Sequence, residues 1–360
     1  MTKSFLLAFL LLAHGCGGSG QDKSEGVTEA TAPQTPTNVP DVAQWEAQMR
    51  SFGTKACNEL KAATGESALG ATYYDAESMY YQMLAYTGDS AWQSCANAAE
   101  SAYRGWVRVA AADPSGYGAV PGFWVFTDGL RTDFERTGDA QSKEAVIELS
   151  LHGAYCSDYT ETSWTAPPYL IREVAYCLNA MTDAEAVGAP HRARADLLLN
   201  QLLAHVDAIV DQTYLVHDAA REDTPPEAVG KTYVQPFYMG LAMKTLIEVQ
   251  AARPDARIPA AIQKLADFLW QKTWVSKDQA FFYSSWATPG QAYAPQNGSP
   301  DLNLLIAPAY AWLYKTTGAT KYRDQGDQIW SGGVKGAWLD GSKQFNQNYY
   351  WSFKYVEWRR

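Results

Sequence analysis

The segment TGDSAWQSCA, residues 87 to 96, places a short polar corner between two runs of helical residues. Two similar corners follow, TGDAQSKEAV at 137 to 146 and TGATKYRDQG at 317 to 326. A glycine directly after a helical run adopts the left-handed conformation that ends a helix, and the small polar residues beyond it begin the next helix. Each Thr-Gly therefore predicts the corner of a helical hairpin, and the repetition predicts a series of hairpins.

Helical patterning extends from Asp41 nearly to the end of the chain. In YYDAESMYYQMLAY, residues 73 to 86, apolar side chains recur at spacings near three, four and seven. No run of alternating strand residues bounded by hairpin turns is visible, so the predicted fold class is all-α. Five hairpins are expected, each a first helix and its return: 73–87 with 90–110, 124–137 with 140–155, 164–181 with 190–212, 233–251 with 258–274, and 301–316 with 320–331.

The two helices of each predicted hairpin differ in character. First helices are aromatic and apolar on most faces, whereas returns such as RARADLLLNQLLAHVDAIV, residues 192 to 210, are amphipathic. A helix that is apolar nearly all round is buried, and one with a polar face borders solvent. We therefore expect an inner ring of first helices and an outer ring of returns. The terminal segments 41–60 and 343–358 would pack together as a sixth pair and close the ring.

Four cysteines, Cys57, Cys95, Cys156 and Cys177, lie within the helical region and allow three disulfide pairings. Their spacing suits no zinc motif, so no metal is expected. Closure of the ring by the N-terminal helix would place Cys57 and Cys95 on adjacent outer helices. The preferred pairing is therefore Cys57–Cys95, with Cys156–Cys177 as the second bridge.

The N-terminus has the composition of a targeting segment. Lys3 precedes the apolar run FLLAFLLLA, residues 5 to 13, which is too short to span a bilayer. With HGC following, residues 1–16 resemble a bacterial lipoprotein signal peptide, and the resemblance implies a lipid anchor at Cys16 and a periplasmic or outer-membrane location. A plain secretory signal is the alternative. Residues 17–40 are rich in Gly, Ser, Thr and Pro and predict a disordered tether, followed by one domain over 41–360.

Composition narrows the classes of ligand. A net charge of −10 argues against a nucleic-acid partner, which requires a basic surface. A core cannot easily satisfy the polar atoms of 13 Trp and 22 Tyr, so some of them should line a surface or cleft. No serine-hydrolase, nucleotide-binding or zinc-protease motif is present. We expect a monomer without a cofactor.

The number and character of the hairpins, with DGLRTDFERTGD at 128–139 and PDLNLLIAPAYAWLYKTTG at 300–318, resemble the (α/α)6 toroid of six-hairpin glycosidases and toroid polysaccharide lyases. The resemblance covers about residues 41 to 360 and implies a carbohydrate-active enzyme. An open helical solenoid is the structural alternative, but it would need polar capping helices, and the C-terminal segment NYYWSFKYVEW is strongly aromatic.

In such a ring, the long loops that enter the inner helices meet at one mouth, where functional residues are expected. Aromatic residues stand beside carboxylates and amides in most of these entries, which is the mixture that binds sugar rings and hydroxyls. Candidate catalytic carboxylates are Asp75, Asp128, Glu161 and Glu173. Candidate substrate-binding residues are Tyr74, Trp124, Trp164, Arg172, Gln235, Tyr238, Asp301, Asn303, Asn348 and Trp351.

Glycoside hydrolysis needs one protonated and one ionised carboxyl group, and an aromatic pocket raises the pKa of the acid. Each candidate also has a structural interpretation. Asp75 and Asp301 stand near helix starts, where Asp caps free N–H groups, and Arg172 with Glu173 could form an internal ion pair. The favoured prediction is a glycoside hydrolase acting on an oligo- or polysaccharide.

Two other functions stay open. A polysaccharide lyase would use Tyr or His as base, with Arg or Asn against a uronate carboxylate; NQNYYWS at 346–352 is similar to segments of toroid alginate lyases, and His152 and His217 are the candidate histidines. The third possibility is a non-catalytic, glycan-binding surface lipoprotein.

Overall fold

A computed structural model describes residues 38–111, 120–157, 159–219 and 224–359, and the predicted signal peptide, Cys16 and most of the tether lie outside these ranges. None of the helices in the described ranges is both long and apolar enough to cross a membrane. The α-helices are α1 Val42–Ala62, α2 Gly65–Ala71, α3 Ala76–Thr87, α4 Ala91–Ala111, α5 Asp128–Thr137, α6 Ala140–His152, α7 Thr162–Thr165, α8 Ile171–Ala186, α9 Arg192–Val210, α10 Pro236–Ala252, α11 Arg257–Thr273, α12 Asn303–Thr317, α13 Thr320–Gly336, α14 Ser342–Tyr349 and α15 Ser352–Trp358.

The three Thr-Gly corners are confirmed as helix ends. Gly88, Gly138 and Gly318 follow α3, α5 and α12 with φ of 68°, 76° and 69°. Each donates its backbone N–H to the carbonyl oxygen four residues earlier. Since this left-handed conformation is strained for residues with a Cβ, glycine lets the chain reverse within a few residues and start the return helix.

The hairpins close into a ring. The inner helices pack in the order α3, α5, α8, α10 and α12, then α15, and α14 returns to α3. Their returns lie outside, where α1 packs against α4, α4 against α6, and α9 against α11. The predicted all-α class and the (α/α)6 toroid are therefore confirmed.

The first and last segments of the domain form the predicted sixth pair. Trp45 Nε1 in α1 donates to Ser352 Oγ at 3.2 Å, and the Tyr349 hydroxyl donates to the Trp45 carbonyl at 2.8 Å. The C-terminal segment is two helices rather than one. The break at Tyr350 frees its carbonyl from the helix, and that oxygen accepts a hydrogen bond from Gln82 Nε2 of α3 at 2.8 Å.

Among the described residues, short strands occur only in the connections between helices. β1, Thr232–Val234, pairs antiparallel with β4, Ser285–Ala287, and β2, Trp274–Val275, pairs with β3, Ala280–Phe281. The β1–β4 ladder joins the loop that enters α10 to the loop that enters α12. These two loops therefore form one connected wall of the mouth.

Both predicted disulfides are confirmed. Cys57–Cys95 links α1 to α4, with Cα atoms 5.4 Å apart, and Cys156–Cys177 links the loop after α6 to α8, with Cα atoms 4.9 Å apart. Each contributes roughly 3 kcal/mol to stability on the loop-entropy model. The second bridge lies close to the mouth and restrains the loop that leads to α8.

Candidate active site

The chain enters the first inner helix through a strained turn. Tyr74 and Asp75 have φ of 63° and 51°, in the left-handed region that side chains with a Cβ rarely adopt. Asp75 is confirmed as the N-cap of α3, because its Oδ1 accepts the Ser78 N–H at 3.0 Å. Its Oδ2 accepts the Gly129 N–H of α5 at 3.1 Å. Two consecutive strained residues persist only where the surroundings fix them, and such strain concentrates at functional sites.

Gly129 allows α3 and α5 to approach closely at this point. A Cβ at this position would lie 2.6 Å from Asp75 Oδ1 and 2.7 Å from the Ser78 nitrogen. Because Gly129 has no side chain, the Asp75 carboxyl lies against the first turn of α5. The first residue of that helix is Asp128, so the two carboxylates are neighbours.

Asp128 lies inside the ring and is held by three other elements. Its Oδ2 accepts from Lys244 Nζ of α10 at 2.7 Å and from the Tyr350 hydroxyl at 3.0 Å. Its Oδ1 accepts from Asn179 Nδ2 of α8 at 2.9 Å. Together with Asp75, these residues form what we call the central cluster: Asp75, Asp128, Asn179, Lys244 and Tyr350.

Further charges surround the central cluster. Arg131 Nε lies 2.7 Å from Asp183 Oδ1, and the Asp183 Oδ2 accepts from the Thr127 hydroxyl at 2.5 Å and from Asn179. Lys244 also pairs with Glu248 at 2.8 Å. Burial raises the pKa of Asp183 to about 8, and the nearby negative charge of Asp128 adds to the effect. Cations and carboxylates thus alternate through the interior.

The two carboxyls of the central cluster have pKa values displaced in opposite directions. Burial, followed by the negative charge of Asp128, raises the pKa of Asp75 to about 7. Burial opposes ionisation of Asp128 as well, but the ammonium of Lys244 and the guanidinium of Arg131 lower its pKa to about 2. At mildly acidic pH, the first is protonated while the second is ionised. Divergence of this kind is the pattern that assigns acid and base roles to neighbouring carboxyls.

A hollow of about 230 Å³, the Glu173 hollow, opens above the starts of α8 and α10. Glu173 Oε1 accepts from Arg172, whose guanidinium lies over the rings of Tyr238 and Phe123, 4.4 and 5.5 Å from their centroids. The other oxygen, Oε2, is buried and has no hydrogen-bond partner among the described residues. The predicted ion pair is present, and it leaves one carboxylate oxygen without a donor. The lining includes Phe123, Tyr155, Tyr169, Arg172, Glu173, Tyr233, Gln235 and Tyr238.

A second hollow of about 200 Å³, the Trp338 hollow, opens above the starts of α12 and α14. It is lined by Tyr74, Phe237, Tyr283, Ser299, Asp301, Leu302, Trp338, Lys343, Gln344 and Gln347. Rings that line the two hollows contact one another in what we call the partition: Tyr238 lines the Glu173 hollow, and Phe237 and Tyr283 line the Trp338 hollow. The Phe237 ring lies 4.5 Å from that of Tyr238 and 5.3 Å from that of Tyr283.

The predicted site residues fall into three groups. Asp75, Asp128, Glu173, Tyr74, Arg172, Gln235, Tyr238 and Asp301 lie in the central cluster or line a hollow. Trp124 packs beneath the mouth, with its ring 4.7 Å from that of Tyr73, while Glu161 and Trp164 are exposed on α7 and its N-cap. Asn303, Asn348 and Trp351 are buried, and both amides donate to backbone carbonyls. His152 and His217 are exposed and line neither hollow.

Sequence patterns alone did not identify Asn179, Lys244 or Tyr350 as site residues. Lys244 had a usable signal: it is the one charged residue in the run FYMGLAMKTLI, residues 237 to 247, which predicts a buried helix. A lysine there requires a buried carboxylate, since an unpaired charge in such a place is costly. The partner, Asp128, is 116 residues away, and only the closed ring brings the two together.

No protein-family model matches the chain, and no curated protein matches it either. Solved structures do resemble it. A glycosyl hydrolase of family 88 from Bacteroides vulgatus superposes with a TM-score of 0.61 at 9% identity, covering 88% of this chain and 99% of that one. A D-mannose isomerase gives 0.58 at 12% identity over 79% and 87%, and a polysaccharide lyase gives 0.52 at 10% identity over 85% and 98%.

At these identities the similarity establishes the toroid fold. The three structures are named as a hydrolase, an isomerase and a lyase, so similar rings host different chemistries. The function must therefore be argued from the side chains of the site.

Proposed function

We propose that the protein is a carbohydrate-active enzyme, and specifically a glycoside hydrolase that cleaves an oligo- or polysaccharide. The observation that carries the proposal is the opposite displacement of two neighbouring carboxyl pKa values, about 7 for Asp75 and about 2 for Asp128. Hydrolysis of a glycosidic bond requires a proton donor for the leaving oxygen and an ionised carboxylate in the same site. Asp75 has the protonation state of the donor, and Asp128 has that of the carboxylate.

The surrounding residues support these roles. Lys244 keeps Asp128 ionised, while Asn179 and Tyr350 fix the orientation of its two oxygens. Asp75 directly follows Tyr74, which lines the Trp338 hollow. In the neighbouring hollow, Glu173 Oε2 has no hydrogen-bond partner among the described residues, so it is an acceptor with unused capacity.

The tyrosines argue against the lyase alternative. A tyrosine base must lose its proton, and burial instead raises the pKa of Tyr73, Tyr74, Tyr176 and Tyr238. These phenols are therefore hydrogen-bond donors at neutral pH. Neither hollow is lined by a histidine among the described residues that could replace them. The similar solved structures act on sugars, which supports the broader class of carbohydrate-active enzyme.

The test is a polysaccharide panel that follows new reducing ends and the ultraviolet absorbance of an unsaturated product. We expect reducing ends without absorbance, and a loss of roughly 10²- to 10⁴-fold in kcat for Asp75→Asn and Asp128→Asn. Asp340→Asn is the matched control, because Asp340 is an exposed carboxylate that pairs with Lys55 and lines neither hollow. Activity should fall as the pH rises through about 7, since Asp75 then loses its proton.

Other outcomes would assign the protein elsewhere. A rise in absorbance together with reducing ends would contradict hydrolysis and identify a lyase. Full activity in Asp75→Asn would remove Asp75 from the mechanism. No cleavage of any glycan, combined with binding to one of them, would identify a non-catalytic binding protein.

A further inference from the structure

The exposed large hydrophobic side chains of the described residues all lie on one face of the ring. Each is in a connection that enters an inner helix: α5, α8, α10, α12 or α14. The outer wall and the opposite face have none among the described residues. The six residues are Phe123, Tyr159, Trp164, Val229, Tyr283 and Trp338. Exposed apolar groups concentrated in this way mark a surface that binds something, and five of the six are aromatic.

The Trp338 hollow has its own ring-stacking surfaces. Trp338 is 63% exposed and Tyr283 is 54% exposed, although both line the same hollow. The Trp338 backbone N–H donates to Asp301 Oδ1, and Gln347 Nε2 donates to the Asp301 carbonyl at 2.6 Å. The backbone that carries the indole is therefore anchored by hydrogen bonds, which lowers the entropy lost when a ligand stacks on the ring.

Polar side chains in the Trp338 hollow are of the kind that bind hydroxyl groups. Gln344 and Gln347 carry both donors and acceptors, and Ser299 adds a hydroxyl. The two charged residues of the lining, Asp301 and Lys343, have opposite signs. In the Glu173 hollow, the charged residues of the lining are Arg172 and Glu173, which also cancel. Neither lining has the excess of cations that would favour an anionic sugar.

The sizes of the hollows indicate what each can hold. At about 230 and 200 Å³, each is below the roughly 300–1,000 Å³ of a typical site for a drug-sized ligand. Each therefore suits one small ring rather than an oligomer. The two linings touch at the partition, where the Phe237 ring contacts those of Tyr238 and Tyr283.

We infer that the Trp338 hollow is a second sugar subsite, and that the mouth binds consecutive units of a neutral saccharide chain across the partition. One unit occupies the Glu173 hollow and another stacks on Trp338 and Tyr283, so the linkage between them crosses Tyr238. The inference rests on the proposed function for the class of ligand. Beyond the proposed function, it specifies the length and charge of the substrate, which has at least two sugar units and no uronate groups.

Affinity electrophoresis through gels that contain a polysaccharide tests this directly. The probes are four neutral polymers, glucomannan, xylan, arabinan and β-glucan, and two polyuronates, alginate and pectate. We expect a neutral polymer to retard the wild type, and Trp338→Ala to migrate almost as it does in a gel without polymer. Trp358→Ala is the matched control, because Trp358 is a half-buried tryptophan at the end of α15, away from the helix starts that surround the mouth, and lines neither hollow. It should be retarded like the wild type.

Chain length gives the second measurement, by calorimetry with oligosaccharides of the retarding polymer. The wild-type Kd should fall about tenfold between one and three units, as one aromatic stack contributes on this scale. In Trp338→Ala this gain should disappear, and Trp338→Phe should restore part of it. Equal retardation of Trp338→Ala and wild type, retardation by polyuronates alone, or no retardation by any neutral polymer would each overturn the inference.

Binding and turnover can fail separately. These measurements need no catalysis, so an inactive protein that binds a neutral chain through Trp338 supports the subsite while contradicting the proposed hydrolysis. Conversely, if Trp338→Ala hydrolyses a neutral polymer with the same KM as the wild type, the proposed function is retained and the subsite is rejected.

Discussion

Asp128 and Glu173 are both nearly buried carboxylates near the starts of inner helices, and each is paired with a cation, but they differ in how many donors they accept. Asp128 accepts from Lys244, Asn179 and Tyr350, which come from three distant parts of the chain. Glu173 accepts only from the adjacent Arg172 and has one oxygen without a partner. The comparison teaches that the first carboxylate is fixed by the ring as a whole, whereas the second is fixed locally and keeps capacity for a ligand.

The largest expected loss of stability comes from removing the counter-charge of Asp128. Lys244→Met would leave Asp128 buried without its main counter-charge, and we expect a loss of ~3–5 kcal/mol in the free energy of unfolding. Arg172→Met should cost less, because Glu173 lines a hollow whereas Asp128 lines none. Urea unfolding measures both. The double variant Lys244→Met with Asp128→Asn should recover part of the loss, and a cost below ~1 kcal/mol for Lys244→Met would show that the ring does not depend on this pair.

The second prediction concerns the pH dependence of stability. The pKa of Asp75 is about 7 in the folded chain and 3.8 as its ordinary value, so its contribution to stability is present at low pH and lost as the pH rises through 7. We expect the free energy of unfolding of the wild type to fall relative to that of Asp75→Asn by at most ~4 kcal/mol between pH 4 and pH 7. Denaturant titrations at several pH values give this difference.

Asp340→Asn is the control for that experiment, since its exposed carboxyl should leave the wild-type curve unchanged. Parallel curves for wild type and Asp75→Asn would mean that the Asp75 carboxyl ionises as it does in the unfolded chain. The acid role proposed for it would then lose its basis.

The smallest effect on stability is expected on the Glu173 side. Glu173→Gln removes the charge but keeps the shape and one acceptor for Arg172, so the free energy of unfolding should change less than in Arg172→Met. Its effect on binding should be larger. Arg172 would become an uncompensated cation in the hollow, and the variant should be retarded by pectate in affinity electrophoresis although the wild type is not. Unchanged migration in pectate would show that the pair does not set the charge preference of the hollow.

Much of the ring could be predicted from sequence because its determinants are local. A glycine after a helical run specifies a corner wherever it occurs, as at Gly88 and Gly318, and apolar periodicity separates inner from outer helices. The disulfide pairing followed from placing α1 beside α4. The break in the C-terminal helix was not predicted, because the Tyr350 carbonyl that it frees finds its donor in Gln82, 268 residues earlier.

The candidate site was predicted less well because it depends on depth within the ring. Asn303 begins α12 and Asn348 lies in the last turn of α14, and both are buried and donate to backbone carbonyls instead of facing the mouth. Lys244 lies nine residues into its helix and still reaches Asp128, since α5 begins deeper in the ring than α8 or α10. Position along a helix is visible in a sequence, but the relative height of two helices is not.

Closure of the ring by its two ends has a consequence for the order of folding. Trp45 and Ser352, which meet in the sixth pair, are 307 residues apart, so the entropy of closing that loop is ~5 kcal/mol beyond a constant. A chain synthesised from its N-terminus carries α1 long before α14 and α15 exist. One face of α1 therefore stays without its native partner while the intervening hairpins stack, and the last residues to appear complete the structure. Contacts of such high sequence separation slow folding, so the closure step sets both the pace of assembly and the stage at which the mouth first takes its final shape.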